Sequence, residues 1–298
     1  MDDVIKKLPK VRGSYRQDFQ LANVTWFGVG GTADVLFKPE DSEDLAHFLK
    51  EKPVDIPYMV LGVGSNLLVR DGGIRGVVIR LGKNFTHISH NKEELIAGAG
   101  ALDVNVSKYC ADNSLSGLEY LSGIPGVIGA ALAMNAGAYG GEIASSLIKL
   151  EALDKQGNLR IINKEACGFK YRANSLSEEL IFTKAYLKVA LGDKLIIDQK
   201  IDQIKQQRES SQPIRTKTSG SSFKNPPGKK AWELIDQAGC RGLRIGGAII
   251  SEKHCNFLIN LDNATAAEIE ELGETVRKRV FENSGIMLEW EIKIVGIN

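Results

Sequence analysis

Apolar residues along this chain fall into short runs separated by glycines and polar turns. Residues 33–37, 58–61, 77–81 and 95–98 are compact apolar runs that predict buried strands. After the first of them, Asp41-Ser42 followed by acidic residues predicts the start of a helix. Leu102, Val106, Tyr109 and Cys110 recur at helical spacing, with Asn113 as the stop. Residues 148–153 and 159–162 flank Asp154-Lys155-Gln156-Gly157-Asn158 and predict a hairpin. Around Leu195 the texture changes: Ile197, Ile201 and Ile204 mark an otherwise polar helix that ends near Pro213 and connects to a further domain. That domain carries a Ser/Gly/Lys loop, a helix at 231–238 closed by Gly239, and strands around 248–250 and 257–260. A longer helix follows, opened by the capping box Thr265-Ala266-Ala267-Glu268 and ending near Gly285. A last alternating strand spans 288–294, with Leu288, Trp290, Ile292 and Ile294 on one face and Glu289, Glu291 and Lys293 on the other. No internal repeat appears. The predicted class is α+β, in two or three lobes.

Composition narrows the function classes. At 298 residues, 43% apolar and 25% charged, the chain can bury a sizeable core without disulfides or metals. Its net charge of +1 leaves no overall electrostatic footprint for nucleic acid or anionic membrane. Met1 to Lys7 holds no apolar segment of a secretory signal, so a cytoplasmic protein is expected. The longest uncharged stretch, residues 120–141, is interrupted by glycines, Pro125 and Asn135 and does not read as a membrane span. Cys110, Cys167, Cys240 and Cys255 form no CxxC pair, and His87-x-x-His90 lacks a third ligand, so no metal site is expected.

The 31 glycines, about a tenth of the chain against a usual ~7%, do change the picture. They gather in Gly28-Val29-Gly30-Gly31, in Gly62-Val63-Gly64-Ser65-Asn66, and from Gly123 to Gly141. Glycine loops let backbone N–H groups approach a phosphate closely. The middle cluster lacks the third glycine of a Rossmann fingerprint, and Gly228-Lys229-Lys230 is no Walker A loop. The third is more specific: Gly123-Ile124-Pro125-Gly126-Val127-Ile128-Gly129 sets a proline turn before small residues opening a short helix, and Met134-Asn135-Ala136-Gly137-Ala138-Tyr139-Gly140 follows. Tight helix packing is the competing use of such residues. Three loops together favour a dinucleotide.

These motifs, with Gly220-Ser221-Ser222-Phe223-Lys224-Asn225-Pro226, resemble the UDP-N-acetylenolpyruvoylglucosamine reductase family, in order and over residues 25–296. The resemblance implies a flavin domain like that of p-cresol methylhydroxylase, in two α/β lobes at 1–82 and 83–197. A substrate-binding α+β domain would occupy 198–298, with the last strand able to return to the first lobe. It also implies noncovalent FAD held by Gly62, Val63, Gly64, Ser65 and Asn66 of one loop. From the second loop and its sequel it adds Gly123, Ile124, Pro125, Gly126, Gly129, Asn135, Gly137 and Ala138. NADPH would reduce FAD, and hydride would then pass to the terminal alkene carbon of UDP-N-acetylglucosamine enolpyruvate, a step of peptidoglycan precursor synthesis. Charge then develops on the pyruvyl carboxylate, which needs cationic or hydrogen-bond stabilisation and a proton for the adjacent carbon.

Arg172, in Phe169-Lys170-Tyr171-Arg172-Ala173-Asn174-Ser175, matches the family's Tyr-Arg motif, and a guanidinium suits a bidentate carboxylate clamp. Ser221 matches the proton donor, although from sequence alone either Ser221 or Ser222 could point inward. The Glu-Ile-Lys-Ile-Val-Gly ending places the catalytic carboxyl at Glu291, which in protonated form could donate to the enolate. Tyr171, Lys224 and Asn225 would contact substrate, the last two at its UDP portion, and His254 and Asn256 match positions near the same site. Between Lys205 and Lys230 the local charge is +6, a fitting environment for a diphosphate. One position departs from the family: Ala130 stands where a second glycine is usual, harmless if only smallness matters and strained if φ is positive.

The expected partner is a small molecule, with the protein a monomer. Two rival readings compete. An oxidase sharing the flavin domain would often tether its flavin through His or Cys, and neither occurs within 62–68 or 123–140. A sugar-nucleotide sensor would have no need of Arg172, Ser221 and Glu291 together.

Overall fold

The computed structural model describes residues 4–177 and 179–298, so the first three residues of the N-terminal reading lie outside it. After a four-residue helical turn at Val4–Lys7 comes β1 (Ser14–Gln20), a strand with no fully buried residue and hence no apolar signature. β2 (Thr32–Lys38) covers the first predicted run. α1 (Ser42–Glu51) starts where expected, because Asp41 accepts the Asp44 N–H at 2.9 Å and satisfies a donor the helix cannot. β3 (Tyr58–Val60), β4 (Leu67–Val69) and β5 (Ile74–Ile79) follow, with β3 and β5 parallel and Tyr58 opposite Val77. β6 (Ile88–Asn91) and β7 (Glu94–Gly98) make an antiparallel hairpin. α2 (Asp103–Asp112) stops at Asn113, as its sequence predicts, and α3 (Ile128–Ala133) is the short helix after the proline turn. The predicted hairpin forms from β8 (Leu147–Leu153) and β9 (Leu159–Asn163), closing with Leu153 opposite Leu159. β10 (Ile181–Lys188) then precedes α4 (Lys194–Ser211) and α5 (Ala231–Gln237). The C-terminal elements are β11 (Ala248–Ile250), β12 (Leu258–Asn260), α6 (Ala266–Ser284) and β13 (Lys293–Val295).

The chain forms two units. The first comprises residues 4–17, Val35–Gly62 and Gly76–Gln207. Its five-stranded sheet runs β9-β8-β10-β7-β6, with β10 antiparallel to both neighbours. Ile181, Thr183, Ala185 and Leu187 of β10 face inward and are buried. Leu95, Leu150 and Leu187 share one core with Val106 and Cys110 of α2 and with Ile128 and Leu132 of α3. Truncating Leu150 or Leu187 to alanine costs about 2–5 kcal/mol at such sites. This core fixes the two ends of α3.

The second unit comprises Asp18–Asp34, Val63–Arg75 and Arg208–Asn298. α6 buries Ile269, Leu272, Val276 and Val280 against α5, β11 and β12. Its N-terminus carries the predicted capping box, and Asp71 accepts the N–H groups of Ala266 and Ala267, each at 3.0 Å. Gly273 leaves room on α6 for the Trp290 ring; a Cβ there would strike it.

The expected strand at 288–294 needs correction. Its alternation of burial holds, but only Lys293–Val295 forms a strand, parallel to β4 with Lys293 opposite Leu67. The residues before it hydrogen-bond a different partner: Lys224 N–H donates to Glu289 O at 2.9 Å, and Glu291 N–H donates to Ser222 O at 2.8 Å. One extended segment thus serves two neighbours in turn, with a bend at Ile292 where it changes over. Among the described residues no helix is long and apolar enough to cross a membrane, and all four cysteines are buried and free.

Candidate active site

In the first unit, Arg172 sits in a tight turn between Lys170 and Ala173, which exchange backbone hydrogen bonds of 2.9 and 3.1 Å. Its φ of +53° is a left-handed conformation that costs a non-glycine residue about 1–3 kcal/mol. Three attachments hold the turn. Arg172 Nη2 donates to Gly137 O at 2.9 Å, and Asn135 Nδ2 donates to Lys170 O at 3.0 Å. From the far side, Asn174 Nδ2 donates to the α3 carbonyls of Leu132 and Ala133 at 3.2 and 2.8 Å. The guanidinium carbon also lies 5.1 Å from the centre of the half-exposed Tyr171 ring. Asn135 has positive φ as well, so two of the seven such non-glycine residues described belong to this one network. The predicted Arg172, Asn135 and Gly137 are therefore joined by hydrogen bonds through this turn, and Tyr171 and Ala138 are their chain neighbours.

The glycine loops show both of their uses. A Cβ on Gly129 would lie 3.1 Å from Ala99, one on Gly62 would lie 3.0 Å from Val127, and one on Gly126 would press on the Asp103 carboxylate. Gly123 makes room for the Tyr139 ring. Packing alone thus requires these residues to be small. The backbone donors tell the other half: the N–H groups of Gly62, Gly126 and Val127 take no hydrogen bond among the described residues, nor do those of Val63 and Gly64, which follow Gly62 in the chain. Gly62 packs on Val127, so within the first unit Gly62 and the Gly126–Val127 turn present these donors in one neighbourhood. Such an array fits the oxygens of a diphosphate-bearing cofactor. Ala130 lies inside α3 and is absent from the positive-φ residues, so it is unstrained and only its smallness matters. Asp103 was not anticipated: it is buried, neither carboxylate oxygen has a hydrogen-bond partner, and burial pushes its pKa well up.

In the second unit, the paired serines differ in burial and bonding. Ser222 is fully buried, its Oγ accepts the Leu258 N–H at 3.2 Å, its N–H donates to Asn256 O, and its carbonyl receives Glu291 N–H. Ser221 is partly exposed, and its hydroxyl has no partner among the described residues. Asn256 clamps the next residue from both sides, accepting Phe223 N–H at 2.9 Å and donating to Phe223 O at 2.8 Å. Asn66 donates to Glu291 O at 3.0 Å, which ties the middle glycine loop to the Glu291 backbone. Lys224 reaches Glu289 at 3.4 Å, and Asn225 Oδ1 accepts the Ala231 N–H at the start of α5, leaving its Nδ2 unpaired among the described residues. His254 is half-buried against the Phe257 ring, 4.8 Å between centres, and desolvation lowers its pKa. Arg172 and the pair Ser221 and Glu291 belong to different units.

Sequence reasoning overlooked Tyr139 and the clamping roles of Asn66 and Asn256. Only Tyr139 had a readable signal, its place in a glycine-rich turn.

Known proteins give the wider context. Residues 212–295 match the family model described as UDP-N-acetylenolpyruvoylglucosamine reductase, C-terminal domain, and residues 33–163 match an FAD binding domain. The UDP-N-acetylenolpyruvoylglucosamine reductase of Rickettsia akari is 51% identical over 289 residues, 97% of this chain and 98% of that one. The enzyme of that name from Azorhizobium caulinodans is 52% identical over 290 residues, covering 97% and 94%. The crystal structure of UDP-N-acetylenolpyruvylglucosamine reductase from Thermus caldophilus superposes with a TM-score of 0.82 at 37% identity, covering 96% of this chain and 99% of that one. With half its residues identical to such relatives along nearly its whole length, the chain belongs to the UDP-N-acetylenolpyruvoylglucosamine reductase family.

Proposed function

We propose that the chain is an FAD-dependent, NADPH-oxidising reductase that converts UDP-N-acetylglucosamine enolpyruvate to UDP-N-acetylmuramate for peptidoglycan synthesis. The glycine loops would hold FAD, which in its reduced form would supply the hydride for the terminal alkene carbon. The remaining work belongs to side chains of this protein. Arg172 lays a permanent positive charge on the substrate carboxylate, where electron density accumulates once hydride arrives. The Ser221 hydroxyl gives its proton to the adjacent carbon, so that a hydride and a proton together saturate the double bond. Glu291 completes the hydrogen bonding around the carboxylate. Tyr171, Lys224 and Asn225 bind the rest of the substrate. Gly62 to Asn66, Gly123 to Gly126 and Gly129, with Gly137 and Ala138, hold the cofactor. The protein acts as a cytoplasmic monomer on this small molecule.

The observation that carries the assignment is the contrast at the paired serines. Ser222 spends its hydroxyl and both backbone groups on the fold, while Ser221 keeps a partly exposed, unpaired hydroxyl. The hydrogen bond from Glu291 N–H to Ser222 O fastens the segments of Ser221 and Glu291 side by side. A stopped-flow experiment tests the reading. Flavin absorbance should fall on mixing with NADPH and recover on adding the enolpyruvyl sugar nucleotide. A protein that bleaches and is not recoloured by that substrate overturns it.

A further inference from the structure

We infer that Asn135 is a positioning residue for the Arg172 turn and does not use its side chain on the cofactor, a reading that rests on the carboxylate-clamping role proposed for Arg172. Asn135 is 2% exposed. Its Oδ1 accepts the Ala144 N–H at 3.1 Å, and its Nδ2 donates to Lys170 O at 3.0 Å and to Glu142 Oε2 at 3.2 Å. Both amide hydrogens are thereby spent on protein, so no donor remains for a ligand. Asparagine also tolerates the φ of +43° found here better than most side chains. The residue therefore does two things that few others can: it turns the chain at the end of α3, and it reaches across to the turn bearing Arg172.

The consequence is a short mechanical path. The N-terminal end of α3 adjoins the unpaired donors of Gly126 and Val127, and its C-terminal end holds the Arg172 turn through Asn174 and, one residue beyond Met134, through Asn135. A six-residue helix thus sets the spacing between the cofactor loop and the guanidinium. The left-handed Arg172 needs such support, because an isolated turn relaxes out of that conformation.

The test is Asn135→Asp, which keeps the shape and the acceptor for Ala144 N–H but removes the donor to Lys170 O. Glu142 faces the new carboxylate in direct contact, and the Arg172 guanidinium is bonded two residues along the chain, at Gly137 O. At about pH 8 the purified holoenzyme should keep the parent FAD content and the parent rate of reduction by NADPH. Its reoxidation by the enolpyruvyl sugar nucleotide should slow by about tenfold or more, the scale of one lost buried hydrogen bond. Binding of UDP-N-acetylmuramate, measured by calorimetry, should weaken by a similar factor. As the pH falls, the introduced carboxyl takes up a proton and can again donate to Lys170 O, so the ratio of variant to parent reoxidation rates should climb back toward one. A purely structural defect has no reason to reverse with acid.

Parent-like reoxidation and binding at pH 8, a deficit that does not change with pH, or loss of FAD with intact reoxidation would each overturn the inference. If the carboxylate prevents folding, Asn135→Ser removes both donors without charge and must show the same slow reoxidation, without acid recovery. Arg172→Ala separates the two levels of the argument. A slow Arg172 variant beside a parent-like Asn135 variant sinks this inference alone, whereas a parent-like Arg172 variant sinks the reading beneath it.

Discussion

The guanidinium of Arg172 donates to the carbonyl of Gly137 at 2.9 Å across 35 residues of chain. This bond engages one Nη2 hydrogen of a side chain with five donors and fixes the direction in which the guanidinium lies. It joins the Tyr-Arg motif to the Asn-Ala-Gly-Ala-Tyr-Gly motif by a direct hydrogen bond.

Arg172→Ala should lower the rate of reoxidation by substrate by about 10²–10³, the usual effect of losing one transition-state donor. Reduction by NADPH should stay close to the parent rate. Arg172→Lys should recover little of the loss, since an ammonium offers a point charge and no planar fork. Stopped-flow absorbance of both half-reactions checks this, and parent-like turnover in Arg172→Ala would remove the residue from the site.

The paired serines should separate cleanly. Ser221→Ala should melt at the parent temperature, accept hydride from NADPH normally and be reoxidised hardly at all. Ser222→Ala leaves the buried Leu258 N–H without an acceptor and should lose about 1–3 kcal/mol of stability. Thermal melts and half-reactions on the two variants, run side by side, decide the matter. A stable, inactive Ser222 variant would exchange the roles.

Asn256→Ala withdraws both clamps from Phe223, an N–H and a carbonyl that are buried. A cost of about 2–4 kcal/mol is expected from two unsatisfied groups. Because the same loop bears Ser221, Lys224 and Asn225, KM for the sugar nucleotide should rise more than KM for NADPH. Equal changes in the two would place the effect elsewhere.

Asp103 makes a prediction about pH. Desolvation keeps its carboxyl protonated in the folded chain well above the usual carboxylate range, whereas in the unfolded chain it ionises near pH ~4. A raised acid pKa means that the folded state holds the proton more tightly, so the residue subtracts stability increasingly as the pH rises above ~4. Asp103→Asn abolishes that titration. Its melting temperature should exceed the parent's near neutrality, and the gap should close on acidification toward pH ~3. A gap independent of pH would mean that Asp103 is paired in solution.

Local elements were legible where a side chain answers a backbone need nearby. Asp41 at the mouth of α1, the Thr265–Glu268 box on α6 and the Asn113 stop of α2 could all be read before any fold existed. β10 was not, although it is central to its sheet. Its buried face alternates Ile181 and Leu187 with Thr183 and Ala185, while Phe182 and Tyr186 between them are half-buried, which blurs the contrast that marks a half-buried strand. The strand expected at 288–294 failed for the opposite reason: the alternation is real, but pairing depends on which neighbour arrives, and here two neighbours divide the segment.

The candidate site divides along the same line. Residue order alone was enough to assign the family and to nominate Arg172, Ser221, Glu291 and the glycine loops as candidates, since motif identity survives without geometry. Whether Ser221 or Ser222 keeps a usable hydroxyl, whether Ala130 is strained, and what Asn135 does with its amide were decided by folding. Each of those answers depends on a partner dozens of residues away, Leu258 for Ser222 and Lys170 for Asn135, and a hydrogen bond across that span exists only after the intervening chain has packed.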